Sequence, residues 1–266
     1  MKKNNLLSFS IATLAISFAS QGAFATCKDI DNAAKAANPA GLQAIASGVV
    51  GAVSNGGFGL PMWVTVVDET GKVCQVVNSS GTAKNANGRS NVSWLGSRVI
   101  SAQKANTANA FSLDAFSIST ANLYGLTQPG GSLYGLQHSN PVDASRSYAG
   151  SPNNYGTNAD PLKNKRIGGV NVFGGGLALY MDHGEHKMKV GAVGVSGDTS
   201  CTDHVVAWKI REALDLGHVP GGFNTGTDVK GDEILLVNTV LPNTIQHPTC
   251  GGPNGAPSGL ANGVMP

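Results

Sequence analysis

Charge is scarce in this sequence. Asp, Glu, Lys and Arg make up 13% of its 266 residues, and aromatic side chains only 6%. A nucleic-acid binder needs a basic face to displace counterions, and no basic cluster exists. If Lys2 and Lys3 belong to a removable leader, the 18 basic residues less two leave 16, against 16 acidic ones. Nucleic acid is therefore not an expected partner. Beyond the first residues there is no second long apolar run and no juxtamembrane basic cluster, so stable membrane insertion is not expected. Several catalytic signatures are also missing. There is no C-x-x-C pair, no G-x-x-x-x-G-K-S/T loop, no helical H-E-x-x-H and no G-x-S-x-G elbow. Gly174–Gly176 and Gly191-x-x-Gly194-x-x-Gly197 match neither that loop nor G-x-G-x-x-G, and Val193-Gly194-Val195-Ser196-Gly197 has Val where the elbow requires its first Gly. No acid/base pair stands out. A binding role is favoured over a catalytic one.

Glycine is plentiful, at 36 residues, and 41% of the chain is apolar. That composition supports a real core under a surface of neutral polar loops. The N-terminus reads as a secretory leader over residues 1–25. Lys2 and Lys3 precede an apolar run from Leu6 to Phe18, and Ala23-Phe24-Ala25 supplies the small-x-small cleavage site. The run is too short to span a bilayer. Cys27 lies near the cut, but Phe24-Ala25-Thr26 before it does not fit a lipoprotein signal. A soluble periplasmic or secreted protein follows.

Export bears on Cys27, Cys74, Cys201 and Cys250. An even cysteine count in an oxidising compartment suggests two disulfides. Of three connectivities, Cys27–Cys74 with Cys201–Cys250 would tie each end of the chain to its nearest segment. A metal site is the competing reading, and the spacing does not favour it.

Helical periodicity runs from Ile30 to Val53, interrupted at Pro39-Ala40-Gly41. Trp63–Val67 and Val73–Val77 flank an Asp68–Gly71 turn as a β-hairpin. Polar loop residues fill Asn78 to Arg89. A second helix spans about Trp94 to Phe111, and Ser119-Thr120 caps a short turn through Leu123. Residues 128–165 form an aperiodic insertion, of the kind that is usually functional or mobile. Three strands are expected next, over Gly169–Phe173, Leu177–Tyr180 and Met188–Val195. A helix follows from Cys201 to Leu216, and residues 217–266 form a Gly/Pro/Asn-rich extension held by Cys250. Hairpin connections make the class α+β, with helices covering a mainly antiparallel sheet.

Three stretches occur together in this order: Ser101-Ala-Gln-Lys104-Ala105-Asn-Thr107-Ala108, Ile167-Gly-Gly-Val-Asn-Val-Phe173-Gly-Gly-Gly176, and Val190-Gly-Ala-Val-Gly-Val-Ser-Gly197 leading into the helix with Asp203. With the hairpin before them they resemble the GlcG/HbpS haem-binding family over roughly residues 33–216. The resemblance implies a profilin-like α/β/α layout with a five-stranded antiparallel sheet within residues 26–216. It also implies assembly into homo-oligomers and haem or a related tetrapyrrole as ligand, in sequestration or redox sensing. The insertion, the cysteines and the C-terminal extension depart from that pattern.

Haem iron accepts His, Tyr, Cys or Met donors. His138, after the Leu133–Leu136 segment, is the candidate iron ligand. Tyr134 is a second donor or stacking wall, and Leu136, Phe111 and Leu123 are candidate apolar walls. His204, in the first turn of the last helix, could accompany a propionate bound at that N-terminus, though a solvated position is its plainer reading. His183-Gly184-Glu185-His186 reads as a polar hairpin turn rather than a metal site.

Overall fold

The computed structural model of the protein describes residues 24–52, 55–81, 93–184, 186–222 and 231–253. Residues 1–23 of the expected leader, most of the Asn78–Arg89 loop and Glu185 lie outside the described residues.

Two helices, α1 (Cys27–Ala37) and α2 (Leu42–Val50), begin the domain. The break between them falls at Pro39, which lacks an amide hydrogen for a continuing helix, and at Gly41, whose φ of 75° is left-handed. The strands β1 (Trp63–Asp68) and β2 (Val73–Asn78) form the expected hairpin. Its turn is tied by the Asp68 carboxylate, which accepts from Thr70 N at 3.0 Å, Thr70 Oγ1 at 2.7 Å and Lys72 N at 3.0 Å. The long helix α3 (Leu95–Phe111) follows, then two one-turn helices in the insertion, α4 (Leu136–Ser139) and α5 (Ala144–Ser147). A second hairpin, β3 (Gly176–His183) and β4 (His186–Ser196), leads to α6 (Ser200–Ala213). The short parallel pair β5 (Leu235–Val237) and β6 (Gln246–Pro248) lies in the extension.

The main sheet is antiparallel in the order β2-β1-β4-β3. Alternation along β1 sends Val64 and Val66 to one side and Trp63 and Val67 to the other. The first side is covered by α1, α2 and α6, and the second by α3, giving the α/β/α layers. The helix α3 approaches the sheet closely because its inward face is small: Ser101, Ala102, Ala105 and Ala108. A Cβ built on Gly194 of β4 would lie 2.5 Å from Ala105 N and collide with the Ser101 carbonyl. Glycine is therefore required there by space rather than by backbone angle.

Four strands stand in this sheet among the described residues, where the resemblance implies five. The difference is Gly169–Phe173, which forms no strand. Gly168 and Gly169 take left-handed φ values of 63° and 82°. The backbone groups that follow are engaged elsewhere: Val170 N donates to Asn140 O at 3.2 Å, and Asn171 N to Thr107 Oγ1 at 3.0 Å. At the β3 edge, a single parallel bridge joins Tyr180 to Gly217.

The insertion is anchored rather than loose. Arg98 of α3 is buried, donates to Asp160 Oδ2 at 3.0 Å and to Ser147 O at 3.0 Å, and lies 3.7 Å from the Tyr155 ring centroid. The extension enters the core. Asp232, Glu233 and Ile234 are buried, and Asp232 pairs with the equally buried Arg211 at 2.6 Å. Both disulfides take the end-tying connectivity, Cys27–Cys74 and Cys201–Cys250, with Cα separations of 5.0 and 5.9 Å. Closing loops of 47 and 49 residues contributes about 4 kcal/mol apiece in the chain-entropy model. Among the described residues no helix is long and apolar enough to cross a membrane.

Candidate functional site

The three sequence stretches meet at one buried point. Lys104, from the first, pairs with Asp203 Oδ2 at 2.8 Å and donates to Val195 O, in the third, at 2.9 Å. Gly175, from the second, packs against both: a Cβ there would lie 2.9 Å from Asp203 Cβ and 3.2 Å from Lys104 Nζ. Asp198 N donates to the other carboxylate oxygen, Asp203 Oδ1, at 3.0 Å. Burial pushes the Asp203 carboxyl up to about 6, against the lowering pull of the Lys104 ammonium. A buried charge is tolerated only when paired and hydrogen-bonded. This point therefore locks α3, β4 and α6 together, and both charged side chains are almost wholly shielded from solvent.

His204, one turn along α6, is also fully buried. The solvated position read from the sequence is corrected: α6 is covered by Gly174–Gly176 on this side, and a Cβ on Gly174 would lie 3.1 Å from His204 Cβ. Its Nδ1 accepts from Gly175 N at 3.4 Å, and its Nε2 has no partner among the described residues. Desolvation lowers its pKa to about 3, so the ring is neutral. Nor does the α6 N-terminus lie open for a propionate. Thr199 caps it through Thr202 N, and Asp198 already accepts from Phe58 N and Leu60 N.

The remaining candidates lie outside the core. His138, in α4, and Tyr134, 62% accessible, are exposed, and Leu136 between them is half-buried. The same segment reaches the Gly-rich stretch through the Asn140–Val170 bond and the Val142–Gly168 bridge. Phe111 is half-buried at the C-terminal end of α3, and Leu123 is buried in the 121–124 turn. The structure thus groups Tyr134, Leu136 and His138 on one surface segment and removes His204 and Leu123 to the interior. Sequence reading missed Tyr124. Its ring stands 6.3 Å from Phe173 and 5.0 Å from His247, joining the Gly-rich stretch to the extension.

Three clefts open on other faces. One of about 660 Å³ lies between Asp31, Lys35, Gln43, Gln75 and Lys163, and one of about 500 Å³ between Val50, Leu60, Met62 and Asp198. A third, of about 630 Å³, is lined by Asp114, His183, His186, Lys187 and Pro220. The last contains the polar β3–β4 turn, with Gly184 left-handed at φ 64° as a hairpin needs. None of the three is lined by His138, Tyr134, Leu136 or Phe111.

An antiparallel sheet layered between helices, closed by a buried Lys–Asp pair and a Gly-rich crossing, defines the class of domain. A family model described as haem degrading protein HbpS-like matches residues 37–212. The chain belongs to that family. Among solved structures it is similar to a Klebsiella pneumoniae protein, ORFY, at 22% identity and a TM-score of 0.44, over 75% of this chain and 97% of that one. It is also similar to a PduOC–haem complex, at 21% identity and a TM-score of 0.39, over 71% of this chain and 91% of that one. No curated protein matches the sequence significantly.

Proposed function

We propose that this is an exported haem-binding protein, with His138 as the iron ligand and Tyr134 and Leu136 as the apolar flank. Membership of the HbpS-like family is the observation that carries the ligand class. Accessibility separates His138 from His204 as donor. A haem iron needs an axial atom that it can approach; the His138 imidazole is exposed, whereas His204 is enclosed on all sides. The donor set fits the group, since an imidazole and a phenol lie four residues apart beside a half-buried leucine. Bound there, haem would supply an iron centre for ligand exchange or electron transfer. The protein's own part is to present the donor and to shield one face of the macrocycle. The leader over residues 1–25 and two disulfides support export.

Hemin titration of the mature chain tests this. Saturable binding with a shifted Soret band is expected, and His138→Ala should change the band position and spin state. Nonsaturable binding would sink the assignment, and an unchanged spectrum would retire His138. The family description favours one second reading, haem breakdown. It predicts steady loss of the Soret band with reductant and oxygen that catalase does not abolish.

A further inference from the structure

The Cys201–Cys250 bridge has an imidazole beside it. The donor atoms of Cys201, Cys250 and His247 all lie within 4.8 Å of one another. His247 is buried on β6, Cys201 is buried in the first turn of α6, and Cys250 is half-buried in the extension. The His247 ring is already oriented. Its Nδ1 lies 2.8 Å from Pro248 O, and a carbonyl oxygen only accepts, so Nδ1 carries the hydrogen. That leaves Nε2 as the acceptor of the Ser200 hydroxyl, which is 3.2 Å from Nε2 and 3.5 Å from Cys250 Sγ. Histidines at metal sites are oriented in this way, with the non-ligating ring nitrogen donating to a backbone carbonyl.

We propose that the dithiol form of this pair is a zinc site of two thiolates and one imidazole, formed by Cys201, Cys250 and His247. The disulfide and the metal are then alternative cross-links between α6 and the extension. A dithiol reductant transfers two electrons to the S–S bond, two protons complete the thiols, and the reductant leaves as its cyclic disulfide. Zn²⁺ then displaces those two protons and binds both thiolates with His247 Nε2. Such a set matches zinc's preference for sulfur and nitrogen donors and leaves the fourth position for water, which reaches the half-buried Cys250 side.

The other bridge provides an internal contrast. Cys27, Cys74 and Asp68 are also clustered, but Asp68 Oδ1 holds the hairpin turn and Oδ2 faces Lys72 Nζ at 3.4 Å. Its carboxylate is committed to protein donors, and no imidazole joins it among the described residues.

The test uses the hemin-free mature chain, reduced with a dithiol, desalted without oxygen and titrated with Co²⁺ and then Zn²⁺. One Co²⁺ per chain is expected, with thiolate-to-cobalt charge-transfer and tetrahedral d–d bands that Zn²⁺ abolishes. The oxidised chain should show none of these bands. His247→Gln should weaken binding at least about tenfold, while Asp68→Asn leaves it unchanged. Alkylation of the zinc-loaded wild-type chain requires no variant: Cys201 and Cys250 should be protected and Cys27 and Cys74 modified. Absence of tetrahedral bands, equal affinity for folded His247→Gln and wild type, or protection of Cys27 and Cys74 instead would each overturn the proposal.

Discussion

Replacing Lys104 by Met keeps the length and apolar stem of the side chain but removes its charge. Asp203 is then left buried with one backbone donor, Asp198 N, and the Val195 carbonyl loses its cation. Breaking a buried pair by deleting one partner costs about 3–5 kcal/mol. For a chain of this length that lowers Tm by roughly 6–20 °C. The cost depends on pH. In the wild type, Asp203 has a folded pKa of about 6, above its unfolded value. Its contribution is complete below the unfolded pKa and is lost as pH rises through about 6. Without Lys104 the carboxyl rises further, so at pH 5 it is protonated and neutral, while at pH 7.5 it remains costly. Urea unfolding of wild type and Lys104→Met at both pH values measures this. The loss should be several kcal/mol at pH 7.5 and clearly smaller at pH 5, and Lys104→Met with Asp203→Leu should recover much of it. A loss below about 1 kcal/mol at pH 7.5, or an equal loss at both pH values, would refute the reasoning.

Gly194→Ala should cost more than about 3 kcal/mol or prevent folding, because the new methyl meets α3 backbone rather than a flexible side chain; a mild effect in urea melts would show that α3 can shift. His204 has a folded pKa lowered to about 3 by burial, so its contribution is present above the unfolded pKa near 6.5 and lost as pH falls toward 3. His204→Gln should therefore lose less stability than wild type between pH 7 and pH 4.5, and parallel losses would count against a neutral buried ring.

Local pattern carried much of the fold. Apolar spacing located α3, both strands of the first hairpin and α6, because each element has one face to bury and its period is written in consecutive residues. The insertion was legible only as an aperiodic stretch. Arg98, which anchors it, lies 62 residues from Asp160, and nothing local marks it as buried. Apolar, glycine-bounded Gly169–Phe173 reads as a strand, yet its amides are taken by Asn140 and Thr107. For the candidate site, residue type singled out His138 and Tyr134, but only packing distinguishes an exposed imidazole from an enclosed one. Tyr124 and His247 carried no local signal, being joined across the turn and the extension.

By itself, the sequence determined the layered helix-and-sheet class, an even set of four cysteines with three connectivities open, and the three stretches of the family. Tertiary structure alone decided that Lys104, Gly175 and Asp203 converge on one point. It also decided that His204 is buried and that Asp232 enters the core to meet Arg211. Periodicity is a property of neighbours along the chain, whereas desolvation depends on every segment that closes over a group. A buried charge or imidazole acquires its chemistry only once those distant segments have packed.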